Sequence, residues 1–278
     1  MMRNDTVQRL AQNGIGILSG VRQSFNALKK LGDFEERRSK QPVQQVNGFK
    51  RSRGEQTPAG LLNEHESKEL LKQFGLPIPP EEMVLTVEEA LDAARRIGWP
   101  VVMKALSKEV PHKTEFGLVK LNVRNEQQVR DGWRELTEAF SQKAPRARLD
   151  GVLLQPMVPE GVEVFVGINK HPEWGTVLAF GLGGIFIEII KDVTIRLIPL
   201  GVGDAEEMIG ETRAAGILAG ARGTPPSDVG ALVECLEAVS RFAEHYGDRL
   251  SGCDLNPIKV LPEGKGCVVL DALISFEK

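Results

Sequence analysis

The sequence predicts an α+β fold, in which helices and hairpin strands are mixed rather than arranged as strict β-α-β units. One predicted helix starts with a capping box formed by Asn63 and Glu66, and another starts with Thr86 and Glu89. Several apolar runs have the length of a strand, and short turns such as 262–266 join them into hairpins. Hydrophobic residues make up 41% of the 278 residues, which is enough for a packed core.

Composition divides the chain into three regions. Residues 1–38 form an N-terminal extension with one predicted helix, because apolar side chains recur there at helical spacing. Residues 39–60 are polar and contain several prolines, which is typical of a linker. We expect the catalytic body at 61–278, with a first subdomain and lid at about 61–160 and a second subdomain at about 161–278.

Periodicity and turn residues predict the elements of the body. Helices are expected from Asn63 to Gly75, from Thr86 to Gly98, at 126–140, and between 204 and 246, including one at 227–246 capped by Ser227. Strands are expected at 100–105, 119–123, 152–157, 162–168, 176–180, 185–190, 194–198, 254–260 and 267–272. Successive strands without intervening helices indicate antiparallel hairpins.

Charge and composition exclude several classes of protein. The formal net charge is −3 and aromatic residues make up 5%, so neither a basic nucleic-acid surface nor a base-stacking platform is indicated. No apolar run approaches the length of a membrane span, and the N-terminus lacks the apolar core of a signal peptide. The cysteines Cys235, Cys253 and Cys267 form no CxxC pair, so we expect free thiols in a reducing cytoplasm.

The first candidate site lies between two predicted strands. Lys104 ends one strand, and the loop 107–117 that follows it offers lysines, hydroxyls, His112 and Gly117. Backbone amides and cations in such a loop can hold phosphate, and a histidine ring nitrogen can carry a phosphoryl group covalently. A solvent-facing hairpin would give the same pattern, so spacing alone leaves both interpretations open.

The second candidate is the connection after the strand 152–157. Gln155 and Met157 end this strand, and Glu163 starts the next one, eight positions after Gln155. Such a connection can present free backbone groups to a planar base, and the acidic residue can accept a hydrogen bond from a ribose. An ordinary hairpin is the alternative.

The third candidate is a glycine-rich segment. Gly181, Gly183 and Gly184 fall within four positions, which lets the backbone approach an anion closely. Glu188 follows within the segment, and Arg196 lies on the next strand. The segment is neither a GxGxxG fingerprint nor a Walker loop, and a tight glycine turn would look the same.

The fourth candidate is a hairpin near the C-terminus. Asp254 and Asn256 are two positions apart on one predicted strand and therefore share a face, and Asp271 ends the opposing strand. Magnesium prefers such hard oxygen donors. Polar groups on one face of an apolar hairpin are costly unless they are paired or liganded, so the pattern favours a metal site over a polar sheet edge.

In chain order, these motifs resemble a known family. They are similar to the ATP-grasp fold of ADP-forming acetyl-CoA (acyl-CoA) synthetase β subunits, which are relatives of the succinyl-CoA synthetase β subunit. The motifs that carry the resemblance are a strand lysine, a His-Lys-Thr-Glu-x-Gly loop, a Gln-Pro-Met…Glu connection, a glycine loop, and Asp-x-Asn-Pro with a later Asp. The resemblance covers roughly residues 61–274. It implies two α+β subdomains that clasp a nucleotide, preceded here by the N-terminal helical extension.

The resemblance implies where ATP or ADP binds. Lys104 would contact the nucleotide phosphates, Gln155 and Met157 would line the adenine hinge, and Glu163 would bind the ribose. Further nucleotide contacts are expected from residues of the phosphate loop, the glycine segment and the strand after it: Gly117, Gly183, Gly184, Glu188 and Arg196.

The resemblance also implies a metal and a covalent carrier. Asn256 and Asp271, with Asp254 beside them, would hold Mg²⁺. His112 would carry phosphate between a CoA-ligase site and ADP, so that acyl-CoA, phosphate and ADP become acid, CoA and ATP, or the reverse. The CoA-binding and ligase domains of the family are not in this sequence, so a CoA-binding, α-type subunit or domain is the expected partner.

Two positions depart from the family pattern. Leu118 stands where the family usually has a second glycine, and Glu115 replaces an aspartate. We expect the Leu118 side chain to stiffen the loop or to narrow its approach to the phosphates. Two other functions stay open: a stand-alone ATP-grasp carboxylate ligase, which leaves His112 without a role, and a non-catalytic nucleotide-binding regulatory subunit.

Overall fold

The computed structural model describes residues 58–110, 113, 116–158, 161–184, 192–220 and 225–277, together with residues 21, 24, 25, 28, 29 and 32. The chain divides into two units, Met1–Asn47 and Gly48–Lys278. In the first unit, the six described residues are helical. The second unit contains two antiparallel sheets with helices, which confirms the predicted α+β class. The domain boundaries at 38 and 60 stay predictions.

Eleven strands are found among the described residues. In chain order they are β1 Gly60–Leu61, β2 Glu82–Val84, β3 Val101–Leu106, β4 Val119–Val123, β5 Gly151–Pro156, β6 Val162–His171, β7 Gly175–Leu182, β8 Val193–Leu197, β9 Leu250–Val260, β10 Cys267–Val269 and β11 Ala272–Phe276. Four of them form one sheet in the order β2-β5-β3-β4. The other seven form a second sheet in the order β1-β11-β9-β6-β7-β8, with β10 paired to β9.

The described helices of the second unit are α1 Glu64–Lys72, α2 Val87–Ile97, α3 Glu126–Lys143, α4 Asp204–Gly210, α5 Ala214–Leu218 and α6 Val229–Tyr246. Both predicted capping boxes are present. The Asn63 side chain accepts from the Glu66 amide at 3.0 Å, and the Thr86 hydroxyl accepts from the Glu89 amide at 3.2 Å. Within the described ranges, no helix combines the length and apolar character that crossing a bilayer requires.

The four-stranded sheet buries one face against α2 and α3. On β3, Val101 and Met103 belong to this core, and Val152 and Leu154 of β5 join them. Side chains alternate along a strand, so Val102, Lys104 and Leu106 lie on the opposite face. All six residues of β3 are buried, so Lys104 is buried although it lies outside this apolar core.

The seven-stranded sheet packs against α6, which contributes many buried apolar side chains to its core. Phe242 is fully buried on α6, and its ring lies 5.2 Å from that of Phe74 and 5.1 Å from that of Tyr246. The segment that leads into helix α1 joins the same sheet, because the Leu62 amide donates to the Ile274 carbonyl of β11 at 2.9 Å. Helix α1 is therefore connected to the strand that directly follows Asp271.

Two predicted details of the last helix and strands are wrong. Asp228, not Ser227, caps α6: its carboxylate accepts from the Ala231 amide at 3.0 Å, whereas Ser227 is held in a β-bridge with Pro262. The strand predicted at 267–272 is interrupted at Leu270 and Asp271 into β10 and β11, which continue in one register along β9, where Pro257 opposite Leu270 has no amide hydrogen to donate. The strand predicted at 185–190 lies outside the described residues.

We predict that Phe242→Ala lowers the free energy of unfolding by about 3–5 kcal/mol, because it removes a buried ring and leaves a cavity against Phe74 and Tyr246. Urea denaturation measures the change. Leu85→Ala is the control, because Leu85 is 65% exposed, and it should change stability by less than about 0.5 kcal/mol. Equal losses in the two variants would contradict this account of the core.

Candidate functional site

Lys104, the first of the predicted site residues, is buried and makes two hydrogen bonds through its ammonium group. It is 6% exposed on β3, and its ammonium donates to Oε1 of Glu64 at 2.7 Å and to the Leu270 carbonyl at 2.7 Å. Leu270 and Asp271 are the two residues between β10 and β11. Lys104 thus connects the four-stranded sheet to helix α1 and to the short segment that carries a predicted metal ligand.

Glu64 accepts hydrogen bonds from three lysines. Its carboxylate is fully buried, and Oε1 accepts from Lys68 at 2.6 Å as well as from Lys104. Its second oxygen, Oε2, accepts from Lys113 of the phosphate loop. Because the side chains of the three lysines are at most 7% exposed, their charges are compensated mainly inside the protein.

Lys113 connects the predicted phosphate loop to the hairpin that carries the predicted metal ligands. Besides Glu64, its ammonium contacts Oδ1 of Asp271 at 3.4 Å. The Asp271 side chain is 34% exposed, so one side of this cluster opens to solvent. His112, the predicted phosphate carrier, lies outside the described residues, but it is the immediate neighbour of Lys113 in the sequence.

The charged groups of this cluster shift one another's pKa values. Burial would raise the pKa of the Glu64 carboxyl, but the charges of Lys104, Lys68 and Lys113 hold that pKa well below its ordinary value. Burial lowers the pKa of Lys104, whereas Glu64 and Asp271 raise that of Lys113 against the effect of burial. Burial and the charge of Glu64 raise the pKa of Asp271. Of these lysines, Lys104 is the one for which the effect of burial on the pKa outweighs that of the neighbouring carboxylates.

Gln155 and Met157 lie beside this cluster. Gln155 pairs with Val102 across β5 and β3, so it shares a face with Lys104, and its side-chain oxygen accepts from Lys68 at 2.8 Å. The Met157 amide donates to the Pro100 carbonyl at 2.9 Å. The strand end predicted to form the adenine hinge is thus joined to the lysine cluster through Lys68.

Glu163, Gly183 and Gly184 lie together at the start of β6. The Gly183 amide donates to the Glu163 carbonyl at 2.9 Å, and a Cβ on Gly184 would lie 3.0 Å from Oε2 of Glu163. A Cβ on Gly183 would lie 2.9 Å from the Val164 backbone, so this position requires glycine. The Glu163 side chain is 43% exposed and 3.6 Å from the Lys259 ammonium. Glu188 lies outside the described residues.

The three predicted metal ligands share one end of the β9–β11 pair. Asp254 is exposed and pairs with Leu273, and Leu255 pairs with Ala272. The next position on each strand brings Asn256 and Asp271 opposite each other, and Asp254 lies two residues away on the same face. This set of oxygen donors, open to solvent beside Lys113, fits the ligand preference of Mg²⁺.

Arg196 is not brought to the other predicted nucleotide residues. It pairs with Leu178 on the side of the sheet that faces the helices, whereas Glu163 points to the other side. There it contacts Glu211 at 2.8 Å and Glu207 at 3.6 Å, both at α4. The geometry indicates that Arg196 anchors helix α4 to β8, a role that its sequence position did not distinguish from anion binding.

Leu118 lies inside the protein rather than over the phosphate loop. It is 1% exposed and packs in a small core with Ala105, Val110 and Phe140. Its amide donates to the Lys113 carbonyl at 3.0 Å, and the preceding Gly117 has a φ of +67°, where L-residues are strained. Of the two predicted effects of Leu118, stiffening of the loop agrees with this geometry and narrowing of the phosphate approach does not.

The sequence interpretation missed Glu64, Lys68 and Glu81. Lys68 also contacts Glu81 at 3.0 Å, and the Glu81 side chain is fully buried. A signal existed in α1, where Glu64, Ser67, Lys68 and Leu71 have the spacing of a buried helix face and are all buried. Polar residues at these positions look like a solvated face when no tertiary partner is known.

Comparison with known proteins agrees with this architecture. The sequence matches the family model of the ATP-grasp domain over residues 54–276. It is 44% identical over 211 residues to the β subunit of acetate–CoA ligase [ADP-forming] II of Pyrococcus furiosus. The aligned residues make up 76% of this chain and 89% of that subunit. It is 37% identical over 215 residues to the ADP-forming 4-hydroxybutyrate–CoA ligase of Nitrosopumilus maritimus, which covers 77% of this chain but 31% of that longer protein.

Solved structures of a related synthetase are also similar. Acetyl-coenzyme A synthetase 1 of Ca. Korarchaeum cryptofilum, in complex with coenzyme A, Ca-AMPCP and HgCl⁺, has a TM-score of 0.74 at 38% identity, covering 78% of this chain and 93% of that chain. A second structure of that synthetase, with a TM-score of 0.66 at 36% identity and the same coverage, holds Mg-AMPPCP. Its phosphohistidine segment points towards its nucleotide-binding site.

We predict that the His65–Glu81 pair makes stability depend on pH. The hydrogen bond that Nδ1 of His65 donates to Oε1 of Glu81, at 2.9 Å, raises the pKa of His65 above its ordinary value despite partial burial. The stabilisation is therefore fully present below the ordinary pKa of about 6.5 and is lost as pH rises through the folded-state pKa. His65→Ala should cost more stability in urea denaturation at about pH 5.5 than at about pH 9. A loss that is the same at both values would contradict a charged pair.

Proposed function

This chain belongs to the ATP-grasp family, as the β-type nucleotide-binding part of an ADP-forming acid–CoA ligase, and on that premise we propose that it passes a phosphoryl group between ATP and His112. The observation that carries the proposal is the meeting of Lys104 and Lys113 on Glu64, beside Asp271. This cluster therefore contains the predicted phosphate-binding lysine, the residue that follows His112, and a candidate metal ligand.

In the proposed reaction, the neutral His112 ring attacks the γ-phosphorus of ATP through an unprotonated nitrogen. A P–N bond forms, the bond from phosphorus to the bridging oxygen of ADP breaks, and ADP leaves with that electron pair. The other ring nitrogen keeps its proton. The reverse reaction makes ATP from ADP and phosphohistidine. Lys104 supports both directions by compensating the charge of the phosphates, because such transfers depend mainly on positioning and electrostatics.

Mg²⁺ is the proposed metal, with Asp271 and Asn256 as ligands and Asp254 beside them. When bound there, the ion would supply charge neutralisation at the nucleotide phosphates. Within the described cluster, Asp271 already contacts the Lys113 ammonium, so the protein itself supplies a cation at this position. The adenine and ribose would be bound by the strand end with Gln155 and by Glu163, as their positions near Lys68 and Gly184 allow.

The partner that we propose is an α-type, CoA-binding subunit or domain. The chain spans most of a separate β subunit but 31% of a longer relative, so the acyl-CoA chemistry would lie on a second polypeptide or domain. There, acyl-CoA and phosphate would become an acyl phosphate and CoA, and the acyl phosphate would then phosphorylate His112 and release the acid. We propose a reducing cytoplasm as the setting, because Cys235, Cys253 and Cys267 are all free.

We predict that the full chain incubated with γ-labelled ATP and Mg²⁺ acquires an acid-labile, base-stable label, and that His112→Ala reduces the label to background. His171→Ala is the matched control and should label like the wild type, because His171 stacks on Trp174 at the β6–β7 turn. Label that persists in His112→Ala would rule out the carrier role.

The same assay separates the two alternative functions. Nucleotide binding without any label in the wild type, even with the partner present, would favour a non-catalytic regulatory subunit. Addition of a CoA-ligase partner, acyl-CoA and phosphate then tests for a stand-alone carboxylate ligase. The proposed relay requires labelling of His112 from these substrates without ATP, whereas a stand-alone ligase does not.

We predict that Asp271→Asn weakens metal binding on the order of tenfold, equivalent to about 1.4 kcal/mol, because it removes a carboxylate ligand. Titration with Mn²⁺, which prefers the same oxygen donors, can follow free metal by electron paramagnetic resonance. Asp131→Asn is the control, since Asp131 lies on the exposed face of α3 and contacts Arg134. Unchanged Mn²⁺ affinity in Asp271→Asn would remove this residue from the metal site.

A further inference from the structure

Glu64 lies between two groups that must act together in the proposed reaction. Its oxygen Oε1 accepts a hydrogen bond from Lys104, which is predicted to contact the nucleotide phosphates. Its oxygen Oε2 accepts from Lys113, which belongs to the loop of His112. A carboxylate is rigid and planar, so the positions of its two oxygens determine how far apart the two ammonium groups lie. One side chain therefore determines the spacing between the phosphate-binding lysine and the carrier loop.

Helix α1 holds Glu64 itself in place. Oε1 also accepts from Lys68 one turn along the same helix, and Lys68 in turn donates to Gln155 at 2.8 Å and to Glu81 at 3.0 Å. The Asn63 cap fixes the first turn of the helix through both bonds of its capping box. Glu64 is thus a buried carboxylate on a fixed helix end, anchored independently of Lys104 and Lys113.

We propose that Glu64 is a positioning residue for phosphoryl transfer, which holds Lys104 and Lys113 so that the nucleotide phosphates and the His112 segment meet in reactive register. This inference rests on the proposed function. Glu64 acts through the two lysines and does not touch the transferred group. Lys113 directly follows His112 in the chain, so the contact that fixes Lys113 limits where His112 can reach.

The decisive variant is Glu64→Gln, because an amide has one acceptor oxygen and an NH₂ group that cannot accept from an ammonium. An oxygen at the Oε1 position still accepts from Lys104 but leaves Lys113 without its acceptor, and an oxygen at the Oε2 position does the reverse. We expect single-turnover labelling of His112 by ATP and Mg²⁺ in the full chain to slow by about 100-fold, as expected for a misplacement near 1 Å. The dissociation constant for ATP should change by less than about tenfold, since Lys104 remains. Glu64→Asp, which keeps both oxygens, should recover part of the rate.

Lys113→Met tests separately the contact between Glu64 and the loop of His112. It should leave the dissociation constant for ATP within about twofold and slow labelling by a similar factor to Glu64→Gln. In the double variant, the rate should fall no further than in the slower single variant, because both changes break the same link. Glu69→Gln is the matched control on α1, because Glu69 is exposed and contacts Lys72, and it should label at the wild-type rate.

The outcomes separate this inference from the proposed function. A wild-type chain that never labels would overturn both. A wild-type chain that labels, with Glu64→Gln labelling at the same rate, would overturn the positioning role alone, as would rate losses that multiply in the double variant. If Glu64→Gln does not fold, as followed by circular dichroism, Lys113→Met decides: labelling at the wild-type rate in that variant would overturn the inference.

Discussion

The buried carboxylate of Glu64 among three lysines is the constraint on which the site depends. Lys68, Lys104 and Lys113 come from helix α1, strand β3 and the phosphate loop, and each donates to this one group. Removal of one partner from a buried ionic group typically costs about 3–5 kcal/mol, because it leaves an uncompensated charge. The three chain segments are therefore positioned by one electrostatic requirement, although they are far apart in the sequence.

The same cluster joins the two sheets. Lys104 belongs to the four-stranded sheet, and it donates to the Leu270 carbonyl between β10 and β11 of the seven-stranded sheet. The apolar cores are separate: α2 and α3 cover one sheet, and α6 covers the other. Polar contacts therefore connect the sheets where the nucleotide is proposed to bind, and the apolar cores keep each sheet rigid.

Local signals predicted the elements better than they predicted the site. The capping boxes at Asn63 and Thr86 and the strand at 119–123 were visible because capping and alternation are encoded within a few residues. The buried cluster was not, because a Glu and a Lys four positions apart are normally a solvent-exposed pair. Arg196 stays a predicted nucleotide contact, but its pairing with Leu178 places it on the helix side of the sheet, which alternation along the strand alone does not reveal.

An apolar cluster in place of these charges would serve stability at least as well, because well-packed hydrophobic residues often match or exceed a buried ion pair. It could not serve phosphate transfer. A lysine held by a buried carboxylate is already desolvated, so a phosphate that reaches Lys104 does not have to remove its full hydration shell. The described contacts of the Lys104 ammonium, to Glu64 and to the Leu270 carbonyl, use two of its three N–H donors. A nucleotide phosphate would accept from the third, which gives the site a physical reason to bind it.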